Sequence, residues 1–177
     1  MRIDVRPWHE FDDREVAAYA GLRSEIDFGV PPYAWTAADD RPVRLLGWEG
    51  SHLVAHAGIV EREVLVGGQE GGKTLRVAGL YSVMVRPDRQ GTGLGTAIVT
   101  AALAEASRCF PQSRHAVFVC LESRVPFYQR LGACRIDPPV TFDQHDGPHV
   151  MGIVTMRRPV AGESWPDGAV HLVGLPW

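Results

Sequence analysis

The sequence has 177 residues, a formal net charge of −3, 45% hydrophobic residues and 22% charged residues. This length suits a single domain spanning residues 1–177, and the composition is that of a globular protein with a full hydrophobic core. Nothing in it indicates the basic face that nucleic-acid binding requires. No long apolar run marks a membrane span, and the charged residues 1–7 do not resemble a secretory signal, so we expect a cytoplasmic protein.

The N-terminal region predicts a strand, a helical segment and a loop. Residues 2–6 alternate polar and apolar side chains, which is typical of a half-buried strand. From about residue 9 to residue 27, apolar residues recur at helical spacing, which predicts one helix or two helices broken near Gly21. Residues 28–42 contain three prolines, with the aromatic residues Tyr33 and Trp35 between them. They predict a loop that is either plain surface or one wall of a binding site.

Three strands are predicted next. Residues 43–49, 52–66 and 74–86 are rich in β-branched and apolar side chains. Gly50-Ser51 separates the first pair, and the glycine-rich segment 67–72 separates the second pair. The pattern predicts an antiparallel meander.

A glycine-rich loop follows the meander directly. Gln90-Gly91-Thr92-Gly93-Leu94-Gly95 opens an alanine-rich helix that is predicted to run to about residue 107. Free backbone amides at a helix N-terminus suit an anion, most often a phosphate. A Walker loop is excluded because the loop has no lysine, and a Rossmann fingerprint is excluded because the loop does not follow the first strand of a parallel unit.

The second half continues with a buried strand, a short helix and further β-like segments. Residues 116–120 form a continuous apolar run, and residues 122–131 have a helical pattern that Gly132 ends. The remainder is β-like with turns and includes one apolar run over residues 149–156. The order of elements predicts an α/β (α+β) fold with a mixed, mostly antiparallel central sheet flanked by helices. The three cysteines lack metal-ligand spacing, so we expect no metal.

Two segments resemble motifs of the GCN5-related N-acetyltransferases (GNAT). Gln90 to Gly95 resembles the Gln/Arg-x-x-Gly-x-Gly/Ala loop of that family, and the Val-x-Val-Arg-Pro-Asp before it is also similar. Phe127-Tyr128, followed by Gly132, looks like the family's Phe-Tyr-x-x-x-Gly segment. The resemblance implies a GNAT-like acyl-CoA N-acyltransferase fold and acetyl-CoA as cosubstrate.

The resemblance also implies a set of site residues. The strand segment Val83, Met84 and Val85 would hold the pantetheine arm through its backbone groups, and the N–H near Val83 would hold the thioester oxygen. Tyr128 matches the family's general acid, although a core aromatic is the alternative. The residues implied for the pyrophosphate are Gln90, Gly91, Thr92, Gly93, Leu94, Gly95 and Thr96.

The general base is left open by the sequence. Many relatives carry a glutamate on the strand before the loop, whereas this chain has Tyr81 and Ser82 there. Water could deprotonate the amine directly. The other candidates are Glu61, Glu63, His56, Asp146 and the C-terminal carboxylate of Trp177.

Two branches of the family look similar around the meander and the tail. They are the aminoglycoside 2′-N-acetyltransferases and the rhizobial acyltransferases that N-acylate chitooligosaccharides. The aminoglycoside enzymes are similar in residues 53–62, 75–79 and 165–168 and at the terminal Trp177, and the rhizobial enzymes are similar in residues 79–83 and in the Trp-Pro-x-Gly of the tail. Both branches modify amino groups on sugars, so we expect a small primary amine as acceptor, with amino sugars among the candidates. Trp35, Trp165 and Trp177 either stack on such a sugar or pack in the core.

Three further questions stay open at this stage. The acyl chain could be longer than acetyl, and the chain could instead be a non-catalytic CoA-binding module. A homodimer is compatible with the sequence.

Overall fold

The computed structural model describes residues 1–30, 34–35, 42–68, 72–137, 139–160 and 164–177. Within these ranges the chain forms ten strands and three α-helices. The strands are β1 (Arg2–Pro7), β2 (Val43–Glu49), β3 (His52–Val66), β4 (Lys73–Val85), β5 (His115–Cys120), β6 (Cys134–Arg135), β7 (Val140–Gln144), β8 (Gly147–Val150), β9 (Val154–Pro159) and β10 (Val170–Leu172). The helices are α1 (Asp13–Ser24), α2 (Leu94–Cys109) and α3 (Val125–Arg130).

All ten strands belong to one sheet, and β3 is its longest strand. β4 runs antiparallel along one edge of β3. The other edge of β3 pairs first with β2 and, near its end, with β10. The order along the main path is β6-β9-β5-β4-β3-β10-β7-β8, with β1 attached to β2. Most pairings are antiparallel, and the exceptions are β4 with β5 and β10 with β7. The expected mixed, mostly antiparallel sheet is therefore confirmed.

The helices cover the two faces of the sheet. α1 begins at the capping residue Asp12, whose carboxylate accepts from the Glu15 N–H while the Glu15 carboxylate accepts from the Asp12 N–H. Leu22 of α1 packs with Leu46 and Met84 on one face. On the opposite face, α2 buries its apolar stripe in the largest core cluster. The sheet is thus covered on both sides near β3 and β4.

β4 and β5 pair at only two positions and then diverge, so that the two strands form a fork whose base is this short ladder. Their parallel ladder consists of Ala78 with Ala116 and Gly79 with Val117. Trp177 is 5% exposed and closes this base, because its Nε1–H donates to the Val117 carbonyl at 3.1 Å. A Cβ on Gly79 would lie 2.3 Å from Trp177 Nε1, so the indole can pack in this position only if residue 79 is a glycine. Beyond these residues the two strands separate and leave backbone groups open to a ligand.

Three predicted elements differ from the observed ones, and one is the helix expected over residues 122–131, where Glu122–Arg124 form a 3₁₀ turn and α3 spans only Val125–Arg130. The helical segment expected over residues 9–27 is shorter, because Trp8–Glu10 form a 3₁₀ turn and α1 ends at Ser24. The apolar run over residues 149–156 is divided between β8, which ends at Val150, and β9, which begins at Val154. The strands predicted over residues 43–49 and 52–66 match β2 and β3.

Candidate active site

A cleft of about 510 Å³ opens where β4 and β5 separate. Its walls come from both strands, from the start of α3, from α1 and the segment after it, and from the end of the chain. Tyr81, Ser82, Val83, Met84 and Val85 of β4 line it, so the strand segment predicted to hold pantetheine faces open space. Met84 is 1% exposed and packs in the core with Leu22 and Leu46, so the open surface of this segment comes from its neighbours.

A β-bulge shapes β4 at the cleft. The register with β3 pairs Gly58 with Tyr81 and His56 with Met84, so Ser82 and Val83 together face Ala57. Ser82 has a φ of 47°, and it is the one residue other than glycine with positive φ in the described ranges. Neither Ser82 nor Val83 has a register partner in β3. Such a bulge frees a backbone segment from the ladder and turns it toward a site.

His56 supports the bulge from inside the sheet. Its side chain is 0% exposed, and Nδ1–H donates to the Ser82 carbonyl at 2.7 Å. On the other side of the ring, Nε2 accepts from Arg44 at 3.4 Å. Burial and then the Arg44 charge lower the pKa of His56 from 6.5 to about 3. His56 is therefore neutral at working pH and too weakly basic to serve as the base considered from the sequence.

The glycine-rich loop presents uncapped amides. Gly91 and Gly93 have φ values of 78° and 87°, which glycine adopts without the steric cost that a Cβ brings. Gly93 is the N-cap of α2 and supplies no side-chain hydrogen bond to the first turn. The polar side chains of the loop bond inward, since Gln90 Nε2 donates to the Val85 carbonyl and Thr92 Oγ1 to the Arg89 carbonyl. The exposed amides that remain suit a pyrophosphate.

Tyr128 lies in α3 on the opposite wall of the cleft. It is 8% exposed, and its ring packs against Phe118 and Phe127 at centroid distances of 4.5 and 4.8 Å. Burial raises the pKa of Tyr128, Cys120 adds to the rise, and Arg124 opposes it. The phenol therefore stays protonated at neutral pH. It is both a core residue and a cleft residue, so the two sequence-based interpretations are compatible.

Three carboxylate candidates for the base lie away from the cleft. Glu61 and Glu63 approach Arg76 at 3.9 and 4.0 Å and border a different depression. Asp146 lies in the turn between β7 and β8 and pairs with His149 at 2.8 Å. These three residues form solvated ion pairs, and their positions argue against a role as the base.

The tryptophans considered for sugar stacking have different positions. Trp35 lines the cleft. Trp165 packs edge-on against His115 at 5.0 Å and does not line it. Trp177 borders the cleft while its indole N–H is bonded at the base of the fork. Tyr33, by contrast, lies outside the described residues.

Several charged residues of the cleft were not singled out from the sequence. They are Arg23, Asp27, Arg44 and Arg124. Asp27 is the one carboxylate residue among the described lining residues, and its Oδ1 already accepts from the Gly29 N–H at 2.9 Å. Because successive side chains of β2 point to opposite faces of the sheet, Arg44 and Leu45 are expected on different faces. No local sequence pattern indicates that the face with Arg44 borders a cleft. The side chains of the described lining therefore carry three cations and one anion, and Trp177, whose α-carboxylate is the remaining candidate for the base, also borders the cleft.

Comparison with known protein families identifies the family of this chain. The model of the acetyltransferase (GNAT) family matches residues 5–133, and the chain belongs to this family. No protein with a curated description matches the chain by sequence.

Solved structures share the fold at low identity. Escherichia coli ElaA is 20% identical with a TM-score of 0.64, and the match covers 89% of this chain and 98% of that one. An acyl-CoA N-acyltransferase from Pseudomonas aeruginosa is 17% identical with a TM-score of 0.61, covering 89% and 99%. A GNAT family acetyltransferase from Brucella melitensis in complex with acetyl-CoA is 21% identical with a TM-score of 0.58, covering 96% and 94%.

The described residues contain neither a helix able to span a membrane nor a cluster of metal ligands. None of the helices there combines the length and hydropathy that crossing a membrane would need. In the same ranges, no three side chains of His, Cys, Asp or Glu converge as metal ligands do.

Proposed function

We propose that the protein is an acetyl-CoA-dependent N-acetyltransferase that acetylates a primary amine of a small molecule. The observation that carries the proposal is the fork between β4 and β5, with exposed amides at Gly91 and Gly93 on one side and Tyr128 on the other. The pyrophosphate would bind the segment from Gln90 to Thr96, and the pantetheine amides would bind the unpaired backbone of β4.

The reaction would be a direct attack on the thioester. The amine nitrogen forms a bond to the acetyl carbon, and the Val83 N–H on the bulge donates to the oxyanion. The carbon–sulfur bond then breaks and its electron pair stays on sulfur. The amine nitrogen loses one proton to cleft water and the thiolate takes up one proton from water, giving an amide and the free thiol of CoA.

Tyr128 would act chiefly as a hydrogen-bond donor to the leaving sulfur. A cysteine-like thiol has a pKa of about 8.5, well below that of a phenol whose pKa burial has raised. Full proton transfer from Tyr128 to the thiolate is therefore uphill, whereas a hydrogen bond that strengthens as charge develops is favourable. We infer that the amine proton passes to cleft water, because the described lining contains no carboxylate in the strand position that relatives use.

The acceptor is proposed to be a small amine, with amino sugars of the kind used by the two similar branches among the candidates. Among the side chains of the described lining, Arg23, Arg44 and Arg124 stand against Asp27 as the one acidic side chain. That balance disfavours a polycation such as an aminoglycoside, which needs carboxylates.

Two measurements test the proposal. Acetyl-CoA should raise the melting temperature, because a ligand that binds only the folded state stabilises it. Release of free thiol over a panel of amines should then identify acceptors. Tyr128→Phe should lower kcat about 100-fold or more while the acetyl-CoA-induced shift stays unchanged. Absence of any shift would refute CoA binding, and a shift without turnover on every amine would indicate a non-catalytic CoA-binding module.

A further inference from the structure

Arg44 is a cation enclosed by uncharged groups. Its guanidinium carbon lies 4.2 Å from the centroid of Trp8, 4.6 Å from Tyr19 and 5.4 Å from Tyr81. Nη1 donates to the neutral ring of His56. Three aromatic faces and an imidazole hold the planar cation in place without neutralising it.

No acidic side chain forms an ion pair with Arg44 within the described ranges. The other arginines of the cleft, Arg23 and Arg124, are exposed, whereas Arg44 is half-buried. Its Nε is buried and has no hydrogen-bond partner among the described residues. A guanidinium taken out of water is ordinarily paired with an anion. Arg44 thus has unused capacity for a negatively charged group.

Arg44 is also close to the reacting position. It pairs in register with Gly58 of β3, and Gly58 pairs with Tyr81 of β4, so the three residues lie side by side across the sheet. Tyr81 is two residues from Val83, whose N–H is the proposed thioester contact. A small acceptor with its amine at Val83 has Arg44 within reach of a second functional group.

We propose that Arg44 is the anion-binding subsite for the acceptor, which is a primary amine carrying a carboxylate. This inference rests on the proposed acetyl transfer. The carboxylate accepts hydrogen bonds from the guanidinium while Trp8 and Tyr19 keep the guanidinium plane fixed. A planar donor fork of this kind recognises carboxylates with defined geometry. The carboxylate can belong to an amino acid or to an acidic amino sugar, and the Arg44 contact is the same in both.

Matched amines with and without a carboxylate test the subsite. One arm compares phenylalanine with phenethylamine, and the other compares muramic acid with glucosamine. With wild-type protein, kcat/KM should be about 10- to 100-fold higher for the carboxylated member of at least one pair. This is the factor by which losing one hydrogen bond to a charged group typically lowers binding or rate. The arm that shows the difference identifies the source of the carboxylate.

Substitutions assign the preference to Arg44. Arg44→Gln should remove it while the acetyl-CoA thermal shift persists, and Arg44→Lys should retain part of it. Arg2→Gln is the matched control, because this exposed arginine of β1 pairs with Asp4 outside the cleft. The control should leave the preference intact.

The outcomes separate the two proposals. Equal turnover of both members of each pair by wild-type protein would overturn the Arg44 inference and leave acetyl transfer standing. If no amine is acetylated, acetyl transfer fails, and isothermal titration of the same four amines into the protein saturated with CoA decides the subsite. Tighter binding of a carboxylated member that Arg44→Gln abolishes would support the subsite, and equal binding of all four would overturn it.

Discussion

The buried histidine under the bulge predicts a specific pH dependence of stability. His56 is neutral in the folded chain, with its pKa lowered to about 3, and it titrates near 6.5 when unfolding exposes it to water. Between these two values the unfolded chain binds a proton that the folded chain does not bind. The free energy of unfolding should therefore be unaffected by this group above pH 6.5 and should fall as pH decreases from 6.5 toward 3.

The size of the effect follows from the same shift. Each pH unit in that window costs about 1.4 kcal/mol, so lowering the pH from 7 to 4.5 should remove about 2 to 3 kcal/mol through His56 alone. For a chain of this length that loss corresponds to roughly 5 to 10 °C in melting temperature.

His56→Asn is the perturbation that isolates this contribution. Its side-chain amide can keep an N–H donor near the Ser82 carbonyl, but it has no group that titrates between pH 3 and 7. Urea unfolding of both proteins at pH 7, 6, 5 and 4.5 gives two curves of stability against pH. All other titrating groups contribute to both curves, so the difference between them reports His56. Parallel curves over this range would refute the reasoning.

Two substitutions at glycines test the loop and the base of the fork. Gly93→Ala forces a Cβ into positive φ, which should cost about 1 to 2 kcal/mol and weaken acetyl-CoA binding in a thermal-shift titration. Gly21→Ala is its control, because nothing lies within 4 Å of the added Cβ in α1, and it should stabilise by about 0.5 to 1 kcal/mol with acetyl-CoA affinity unchanged. Gly79→Ala should displace Trp177 from Val117, lower stability by about 2 to 3 kcal/mol and shift the tryptophan emission; an unchanged spectrum would contradict the described packing.

The fold was largely predictable where residues close together in the sequence determine the secondary structure. β2 and β3 have the predicted limits because their apolar residues run up to the turn Gly50-Ser51. The prediction was weaker in the C-terminal region, where the hydrophobic pattern of residues 149–156 did not reveal the break between β8 and β9. Val150 is 63% exposed at the end of an outer strand, so its apolar character carried no information about burial.

The candidate site was predictable only where its residues are close together in the sequence. The glycine-rich loop and Tyr128 are contained in short segments whose residue types resemble known motifs. Arg44, His56 and Ser82 come from three strands and meet through sheet register. A one-residue change in that register would move each side chain to the other face, and the sequence alone does not specify it. His56 was accordingly considered as a base, when its observed contacts make it a support for the bulge.

Gly58, which lies beneath the ring of Tyr81, affects how related proteins can come to accept different substrates. A Cβ on Gly58 would lie 2.3 Å from the Tyr81 ring, yet Gly58 itself does not line the cleft. Any larger residue there would displace this ring, which lines the cleft, and so change the shape of the pocket. New substrate preferences could therefore arise from a position that no ligand contacts, and a comparison of relatives restricted to contacting residues would overlook it.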